Sequence, residues 1–224
     1  MKKISRRSFI KTGLTAIAAT AAASPILTAC DSIANINRKT SLGSGKIKLS
    51  YRCVDLQKRH TFTISGFSRD FTPNIQVRLE YDGVVAYGEG GLPPYMIGQT
   101  KETASEFMSK INLDQFSSPF MVDDILRYVD SIAPGMSCAK SAFDIALHDL
   151  IGKLLNVPCH RLFGYNPEKT PCTSYTIGID TEEMVRKKTE EAAPYKILKV
   201  KLGIDEKTDK GLINAVRSVS DKPI

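Results

Sequence analysis

Alternating apolar and polar positions in the first half of the chain predict a small antiparallel sheet. Residues 46–51 alternate with period two, and residues 75–81 do so again. Since the side chains of a strand point alternately to opposite faces, this period is typical of strands with one buried face. Asp82-Gly83 then leads into the apolar run 84–87, and an Asp-Gly pair between two strands favours a tight hairpin turn.

The segments that follow have the spacing of helices. Thr100 is a suitable N-terminal cap for a helix that runs to about Lys110, and residues 123–132 predict a second helix. After Pro134-Gly135, apolar residues recur at helical spacing and predict a third helix with one continuous apolar face. These residues are Ala139, Ala142, Phe143, Ala146, Leu147, Leu150, Ile151 and Leu154.

The last part of the chain alternates between strand and helix. Residues 173–179 predict a strand, and Asp180, with Glu183 three residues later, predicts the start of a helix that runs to about Ala193. Residues 196–202 predict a second strand. Such repeats are typical of parallel sheets with helices packed outside them.

A turn and a further helix follow this second strand. Gly203 and Asp205 predict the turn and the helix start, and Pro223-Ile224 would open a third strand. The predicted fold is therefore an α+β domain followed by the start of a (β/α) barrel of the TIM type. Such a barrel takes about 250 residues, whereas about 55 remain after Pro171. We expect a fragment, truncated after about two βα units.

The net charge of +7 comes mainly from the N-terminus. Residues 1–29 contain no acidic residue and five basic ones: Lys2, Lys3, Arg6, Arg7 and Lys11. Without these five, 26 basic residues stand against 24 acidic ones. A nearly balanced domain lacks the basic surface that phosphate backbones require, so we expect no nucleic-acid partner.

Residues 1–30 predict an export signal. A basic start precedes the apolar run 13–23, which is shorter than the roughly 20 residues that span a bilayer. Residues 5–11 resemble a twin-arginine signal, and residues 27–30 resemble a lipobox whose cysteine, Cys30, is lipidated. We expect a periplasmic protein, exported by the twin-arginine route and attached to a membrane only through this lipid, with residues 31–45 as a tether. Without lipidation, cleavage nearby would give a soluble periplasmic protein.

The segment Lys199-Val200-Lys201 carries the clearest chemistry. Residues i and i+2 of a strand point to the same side, so both lysines would face a barrel's interior at the carboxyl end of the strand, where barrel enzymes place their active sites. Two ammonium groups held close together repel each other, which lets one of them act as a base near neutral pH. An isolated Lys-x-Lys motif lies more often on the solvent-exposed face of a half-exposed strand, so the motif alone leaves both interpretations open.

Several segments together resemble one family. They are residues 142–153, 157–158, 162–164, 174–178 and 198–203, with Tyr87-Gly88-Glu89, Pro94-Tyr95 and Gly98. Over residues 46–224 they resemble the enolase superfamily, most closely its muconate-lactonizing subgroup. The resemblance implies a capping domain at 46–133, a linker helix and connection at 134–170, and the first part of a catalytic barrel at 171–224. It also implies that the segment around Tyr87 is a loop that closes over the substrate.

Within that subgroup, residues 62–69 are similar to the specificity loop of dipeptide epimerases, which include the L-Ala-D/L-Glu epimerases. Arg69 falls where the Glu-specific members carry an arginine for the substrate's side-chain carboxylate, and a guanidinium fork suits that carboxylate. A solvated loop residue remains an equal interpretation of Arg69. The resemblance implies a small Ala-Glu-like dipeptide as the partner and leaves homo-oligomer formation open.

The family's chemistry is the removal and return of an α-proton, with Mg²⁺ as the cofactor. The resemblance implies that Lys201 is the base on one face of the carbon, that Lys199 lies beside the metal-bound carboxylate, and that Thr176 lines the pocket. The metal ligands and the second base are expected downstream of Ile224, with none in this chain. We therefore expect the 224-residue polypeptide to be inactive alone.

Two alternatives stay open. One is another enzyme of the same subgroup, a cycloisomerase or an o-succinylbenzoate synthase, which would share the lysine pair. The other is a noncatalytic lipoprotein that binds peptides on a degenerate barrel.

Overall fold

A computed structural model describes residues 45–93 and 98–224. The predicted export signal with Cys30, the predicted tether up to residue 44, and Pro94-Tyr95 lie outside the described residues. None of the helices in the described part is long and apolar enough to cross a membrane.

The described residues form an antiparallel sheet with helices, followed by two βα units. The strands are β1 (Lys48–Ile64), β2 (Phe67–Tyr81), β3 (Val84–Gly91), β4 (Ser174–Ile177) and β5 (Ile197–Val200). The helices are α1 (Lys101–Ser109), α2 (Val122–Ile132), α3 (Ser137–Leu155), α4 (Cys159–Leu162), α5 (Glu182–Glu191) and α6 (Glu206–Arg217), with a 3₁₀ turn at Pro167–Lys169. This confirms the predicted fold class of an α+β domain followed by barrel-type βα elements.

The β1–β2 hairpin is much longer than the alternation of the sequence predicts. Its pairing runs from Lys48 with Glu80 to Ile64 with Phe67, with an irregular register between Gln57 and Phe62. No residue from 54 to 74 belongs to a hydrophobic cluster of the described residues. Alternation of apolar and polar residues with period two is typical of a strand with one buried face. The outer half of the hairpin has no such buried face, so this alternation did not predict its strands.

The core of the α+β part lies between the sheet and α3. Ile75, Leu79 and Tyr81 of β2 are buried in it. The predicted apolar face of α3 is confirmed, since all its positions are buried there except Leu154, which is partly buried. The predicted domain boundaries remain predictions, and α3, predicted as a linker, shares its core with the sheet.

Glycines allow β3 to pack closely on α3. A Cβ atom at Gly88 would overlap the carbonyl oxygen of Ala142 and lie 2.6 Å from the Ala146 nitrogen. The segment Tyr87-Gly88-Glu89, expected in a loop that closes over the substrate, therefore lies in β3 instead. The Tyr87 amide also donates to Asp149 of α3 at 2.9 Å. Backbone packing and this hydrogen bond fix the segment as part of the sheet.

The second core lies between the β4–β5 pair and helices α5 and α6. The two strands are parallel, with Ile177 aligned to Val200, and Leu198 is buried against Leu212 of α6. Both strands are shorter than predicted. Leu202, in the predicted strand 196–202, lies beyond the end of β5 and is 41% exposed, because the chain has already turned toward the loop before α6.

The start of α5 differs from the prediction. Thr181 is the N-cap, and its hydroxyl accepts from the Met184 amide at 3.3 Å, whereas Asp180 was expected to begin the helix. Asp205 caps α6 as predicted. The Leu198 amide donates to the Pro223 carbonyl at 2.9 Å, so Pro223 lies beside β5. Residues 221–224 are not a strand in the described part.

Replacing Gly88 with alanine should destabilise the protein by about 1–3 kcal/mol, the usual effect of overpacking, because β3 and α3 must separate. Urea unfolding followed by circular dichroism measures this. Gly91→Ala in the same strand is the control, since its new Cβ would meet nothing closer than Thr72 at 3.9 Å. Equal free energies of unfolding for the two variants would contradict the close contact.

Candidate active site

Burial of one face of β5 decides where its lysines lie. Leu198 is buried and Val200 packs against the same cluster, so the residues that alternate with them lie on the opposite face. Lys199 and Lys201 are therefore on one side, away from α5 and α6. Thr176 is the register partner of Lys199 and lies on that same face.

Both lysines are accessible near the carboxyl end of β5. Lys199 is exposed and Lys201 is half-buried, and the Lys201 amide donates to the Ile177 carbonyl at 2.9 Å. Within the described residues, neither ammonium group has a hydrogen bond or an ion pair. The structure thus brings Lys199, Lys201 and Thr176 together on one face, with both amines accessible to an anionic ligand.

The turn after Lys201 is held by a side chain from α6. Asp209 accepts hydrogen bonds from the amides of Gly203 at 3.0 Å and Ile204 at 3.3 Å. Gly203 has a φ of 116°, a conformation that favours glycine. Asp209 therefore fixes the backbone beside Lys201. Sequence spacing does not reveal such a contact between a loop and the helix that follows it.

Arg69 lies in a strand rather than in a loop. Residues 62–69, expected as a specificity loop, belong to β1 and β2, which are joined by the turn Ser65-Gly66. Gly66 has a φ of 77°, which permits this tight connection. We call residues 60–70 the hairpin tip.

The Arg69 side chain is stacked on aromatic rings. Its guanidinium carbon lies 5.0 Å from the ring centroid of Phe67 and 5.7 Å from that of Phe71, distances at which a cation is attracted to a ring face. In the part of the chain described, no carboxylate pairs with Arg69. The stacked guanidinium therefore keeps its donors available for an external carboxylate.

The hairpin tip contacts the loops that follow β4 and β5. The Ile179 amide donates to the Thr63 carbonyl at 2.9 Å. A Cβ atom at Gly203 would lie 3.4 Å from that of Ser65, so the turn of the tip lies against the loop after Lys201. The strand that carries Arg69 is therefore held at the same strand ends as the lysine pair.

Two polar side-chain pairs not found by the sequence analysis join the tip to α5 and its start. Lys188 Nζ lies 2.8 Å from Asp180 Oδ2 and donates to the Thr61 carbonyl at 3.4 Å. His60 Nε2 lies 2.7 Å from Glu191 Oε2. Lys188 is only 3% exposed, and lysine is rarely buried unless it is paired.

A sequence signal for Lys188 does exist. Val185, Lys188, Thr189 and Ala192 are all buried and recur at the i, i+3, i+4, i+7 spacing of one helix face. A lysine within such a face must find a partner or leave the face. The partner in the hairpin tip is more than a hundred residues away in the sequence, so only the folded chain reveals it.

These pairs keep their carboxylates ionised. Burial by itself would raise the pKa of Asp180, but hydrogen bonds from Lys188 and the Thr181 amide, with the charges of Lys188 and His60, lower it below 3.8. The hydrogen bond from His60 lowers the pKa of Glu191, against a smaller opposing effect of burial. Both acids are charged at neutral pH and can hold the tip.

Residues 45–93 and 98–224 contain no group of three or more His, Cys, Asp or Glu side chains that could hold a metal ion. The resemblance implies that the magnesium ligands lie downstream of Ile224. Within the described residues, the predicted site consists of the two lysines, Thr176 and Arg69.

Comparison with known proteins agrees with this architecture. Residues 46–164 match the family model for the N-terminal domain of mandelate racemase / muconate lactonizing enzymes. The chain belongs to this family of the enolase superfamily, whose members place an α+β capping domain before the barrel, in the order seen here.

The relatives include epimerases and racemases. The chain is 49% identical over 223 residues to the L-Ala-D/L-Glu epimerase of Bacteroides thetaiotaomicron, a match that covers 98% of this chain and 57% of that protein. The dipeptide epimerase from Enterococcus faecalis V583, complexed with Mg and L-Leu-L-Tyr, superposes with a TM-score of 0.68 at 29% identity, covering 80% of this chain and 52% of that one. The N-succinyl Arg/Lys racemase from Bacillus cereus has a TM-score of 0.68 at 28% identity, over 80% and 50% of the two chains. The chain thus spans about half the length of these relatives.

The Asp180 ion pair should give stability that depends on pH. Since the folded pKa of Asp180 is below its value of 3.8 in an unfolded chain, its contribution is full above that value and is lost as the pH falls further. We expect Asp180→Asn to be less stable than the parent at neutral pH and to lose less stability on acidification. Urea midpoints at a series of pH values test this, and parallel curves for the two proteins would contradict it.

Proposed function

We propose that the whole protein to which this chain belongs epimerises dipeptides of the Ala-Glu type in cell-wall peptide metabolism. The observation that carries the proposal is the pair Lys199 and Lys201, both unpaired within the described residues, on the open face of β5 beneath the hairpin tip that bears Arg69. The support from relatives is the name of the Bacteroides protein, L-Ala-D/L-Glu epimerase, at 49% identity.

In the proposed reaction, Lys201 removes the proton from the α-carbon of the substrate on one face. A lysine downstream of Ile224 returns a proton on the other face, so the configuration inverts with no net change in composition. Lys199 lies beside the substrate carboxylate, where its positive charge offsets the negative charge that develops on the oxygens. Thr176 lines the pocket next to Lys199.

We propose Mg²⁺ as the cofactor, on the support of the magnesium in the Enterococcus complex. When bound, the ion would supply positive charge at the substrate carboxylate. Its ligands are proposed to lie downstream of Ile224, and the 224-residue chain is proposed to be inactive alone. We also propose export by the twin-arginine route, with a lipid anchor on Cys30 in the periplasm.

Arg69 is proposed to bind the side-chain carboxylate of the glutamyl residue. Stacking on Phe67 and Phe71 limits the guanidinium to few orientations, so less conformational entropy is lost when the carboxylate binds. The hairpin tip would therefore select the substrate, while the strands carry out the proton transfer.

The lysine role is tested with the full-length protein and L-Ala-L-Glu in deuterated water. The parent should incorporate deuterium at the α-carbon and form the epimer. Lys201→Ala should lower kcat/KM by at least about a thousandfold, since the base takes part in the transition state. Lys196→Ala, a change at an exposed lysine just before β5, should have little effect. If the parent protein incorporates no deuterium at the α-carbon of the dipeptide, the proposed function is wrong.

The specificity role is tested by Arg69→Ala. Loss of a charged hydrogen-bond partner should lower kcat/KM for Ala-Glu by about 10- to 100-fold, while dipeptides with an apolar second residue should be affected little. Arg127→Ala is the control, because that side chain is 76% exposed on α2. A uniform loss of activity across all dipeptides would argue against carboxylate recognition by Arg69.

A further inference from the structure

The hairpin tip lies outside both hydrophobic cores of the described residues. The buried residues of the first core that come from β1 and β2 lie in its inner half, such as Ile75 and Leu79, and the second core begins at Ile177. The register of the hairpin is irregular between Gln57 and Phe62, so the tip is also set apart from the regular part of its own sheet. The tip therefore belongs to neither core. It is held on the strand ends by the Phe62 ring, which would lie 3.4 Å from a Cβ atom at Gly178, and by a set of polar contacts.

Lys188 is at the centre of those polar contacts. Its side chain is 4% exposed, and Asp180, its partner at 2.8 Å, is 25% exposed. A buried ammonium group is unfavourable unless its charge is balanced and its hydrogen bonds are made. One of its two hydrogen bonds goes to the Thr61 carbonyl of the tip, so Lys188 makes this bond only when the tip is docked.

The same contact is close to Arg69 in the hairpin. Thr61 precedes Phe62, which is the register partner of Arg69. Thr63, on the other side of Phe62, accepts from the Ile179 amide, and Ile179 adjoins Asp180. Lys188 and Asp180 therefore hold the short backbone segment that sets the position of Arg69, while the hydrogen bonds of Lys188 go to Asp180 and Thr61 rather than to Arg69 or the lysine pair.

We propose that Lys188 is a positioning residue for substrate specificity: through Asp180 and the Thr61 carbonyl it anchors the hairpin tip on the strand ends and so fixes the place of Arg69. The anchoring stands on the geometry alone. The effect on substrate choice rests on the proposed function. His60 and Glu191, 2.7 Å apart, hold the base of the tip in the same way.

The anchoring is tested by hydrogen–deuterium exchange on the full-length protein. Lys188→Met keeps a long, unbranched side chain but removes its charge and its donors. We expect amides of the hairpin tip and the Ile179 amide to exchange at least about tenfold faster than in the parent, as local opening becomes easier. Lys187→Met, a change at the exposed neighbour on α5, should leave these amides unchanged.

A second variant separates anchoring from the stability of α5. Lys188→Met with Asp180→Asn leaves no unpaired charge, so α5 should regain its protection from exchange. The tip should still exchange faster, because the Thr61 carbonyl has lost its donor. If the double variant protects the tip as well as the parent does, the anchoring role is overturned.

Kinetics on the same proteins test the effect on specificity. Lys188→Met should raise KM for Ala-Glu by about tenfold and reduce the preference for Ala-Glu over apolar dipeptides, with kcat changed less than about threefold, because the reacting lysines are on β5. An equal fall in kcat for all dipeptides, or an unchanged preference, would overturn the positioning role.

The anchoring role and the specificity role of Lys188 would be contradicted by different results. If the exchange of the tip in Lys188→Met equals that in Lys187→Met, the inference is wrong whatever the activity. If the parent turns over no dipeptide, the proposed function and the specificity role are wrong, and the exchange measurements still decide the anchoring.

Discussion

The arrangement of the site depends on the packing of Leu198, which is buried, and Val200, which is half-buried, against the helices outside β5. Burying an aliphatic side chain of this size contributes about 1.5–3 kcal/mol, so this orientation of the strand is strongly favoured over its reverse. A strand rotated by one residue would place two lysines in an apolar core at a large energetic cost. Core packing, rather than any interaction of the lysines themselves, therefore sets Lys199 and Lys201 on the open face.

The hairpin tip is held in a different way. Directional contacts tie it to the strand ends: a backbone hydrogen bond from Ile179, the buried Lys188 with its partners, and the His60–Glu191 pair. Such contacts fix geometry but contribute little net stability, because charges and polar groups lose hydration when they are buried. In the proposed function, proton transfer takes place on strands fixed by core packing, and substrate recognition takes place on a tip held by polar contacts.

The separation of the hairpin tip from the cores is also relevant to how the fold could accept different substrates. A segment outside the hydrophobic cores can change in sequence without loss of core packing, whereas Leu198 and its neighbours cannot. The solved relatives share the fold at TM-scores near 0.68, yet are named for different substrates, dipeptides in one case and N-succinyl Arg/Lys in another.

Features that depend on local periodicity could be predicted from the amino-acid sequence. The apolar face of α3, the Asp82-Gly83 turn, the Asp205 cap and the common side of Lys199 and Lys201 all follow from spacing within one element, because the period of a helix or strand decides which residues share a face. The resemblance to the enolase superfamily also rests on short continuous segments.

Contacts between segments distant in the chain became visible only in the folded structure. It shows that Tyr87-Gly88-Glu89 lies in β3, where the backbone of Gly88 contacts α3. It also shows that residues 62–69 are paired strands rather than a loop. It also assigned Asp209 to the turn after Lys201 and gave the buried Lys188 a partner in the hairpin tip. Each of these depends on which surfaces meet in the folded chain, and a periodic pattern carries no information about that.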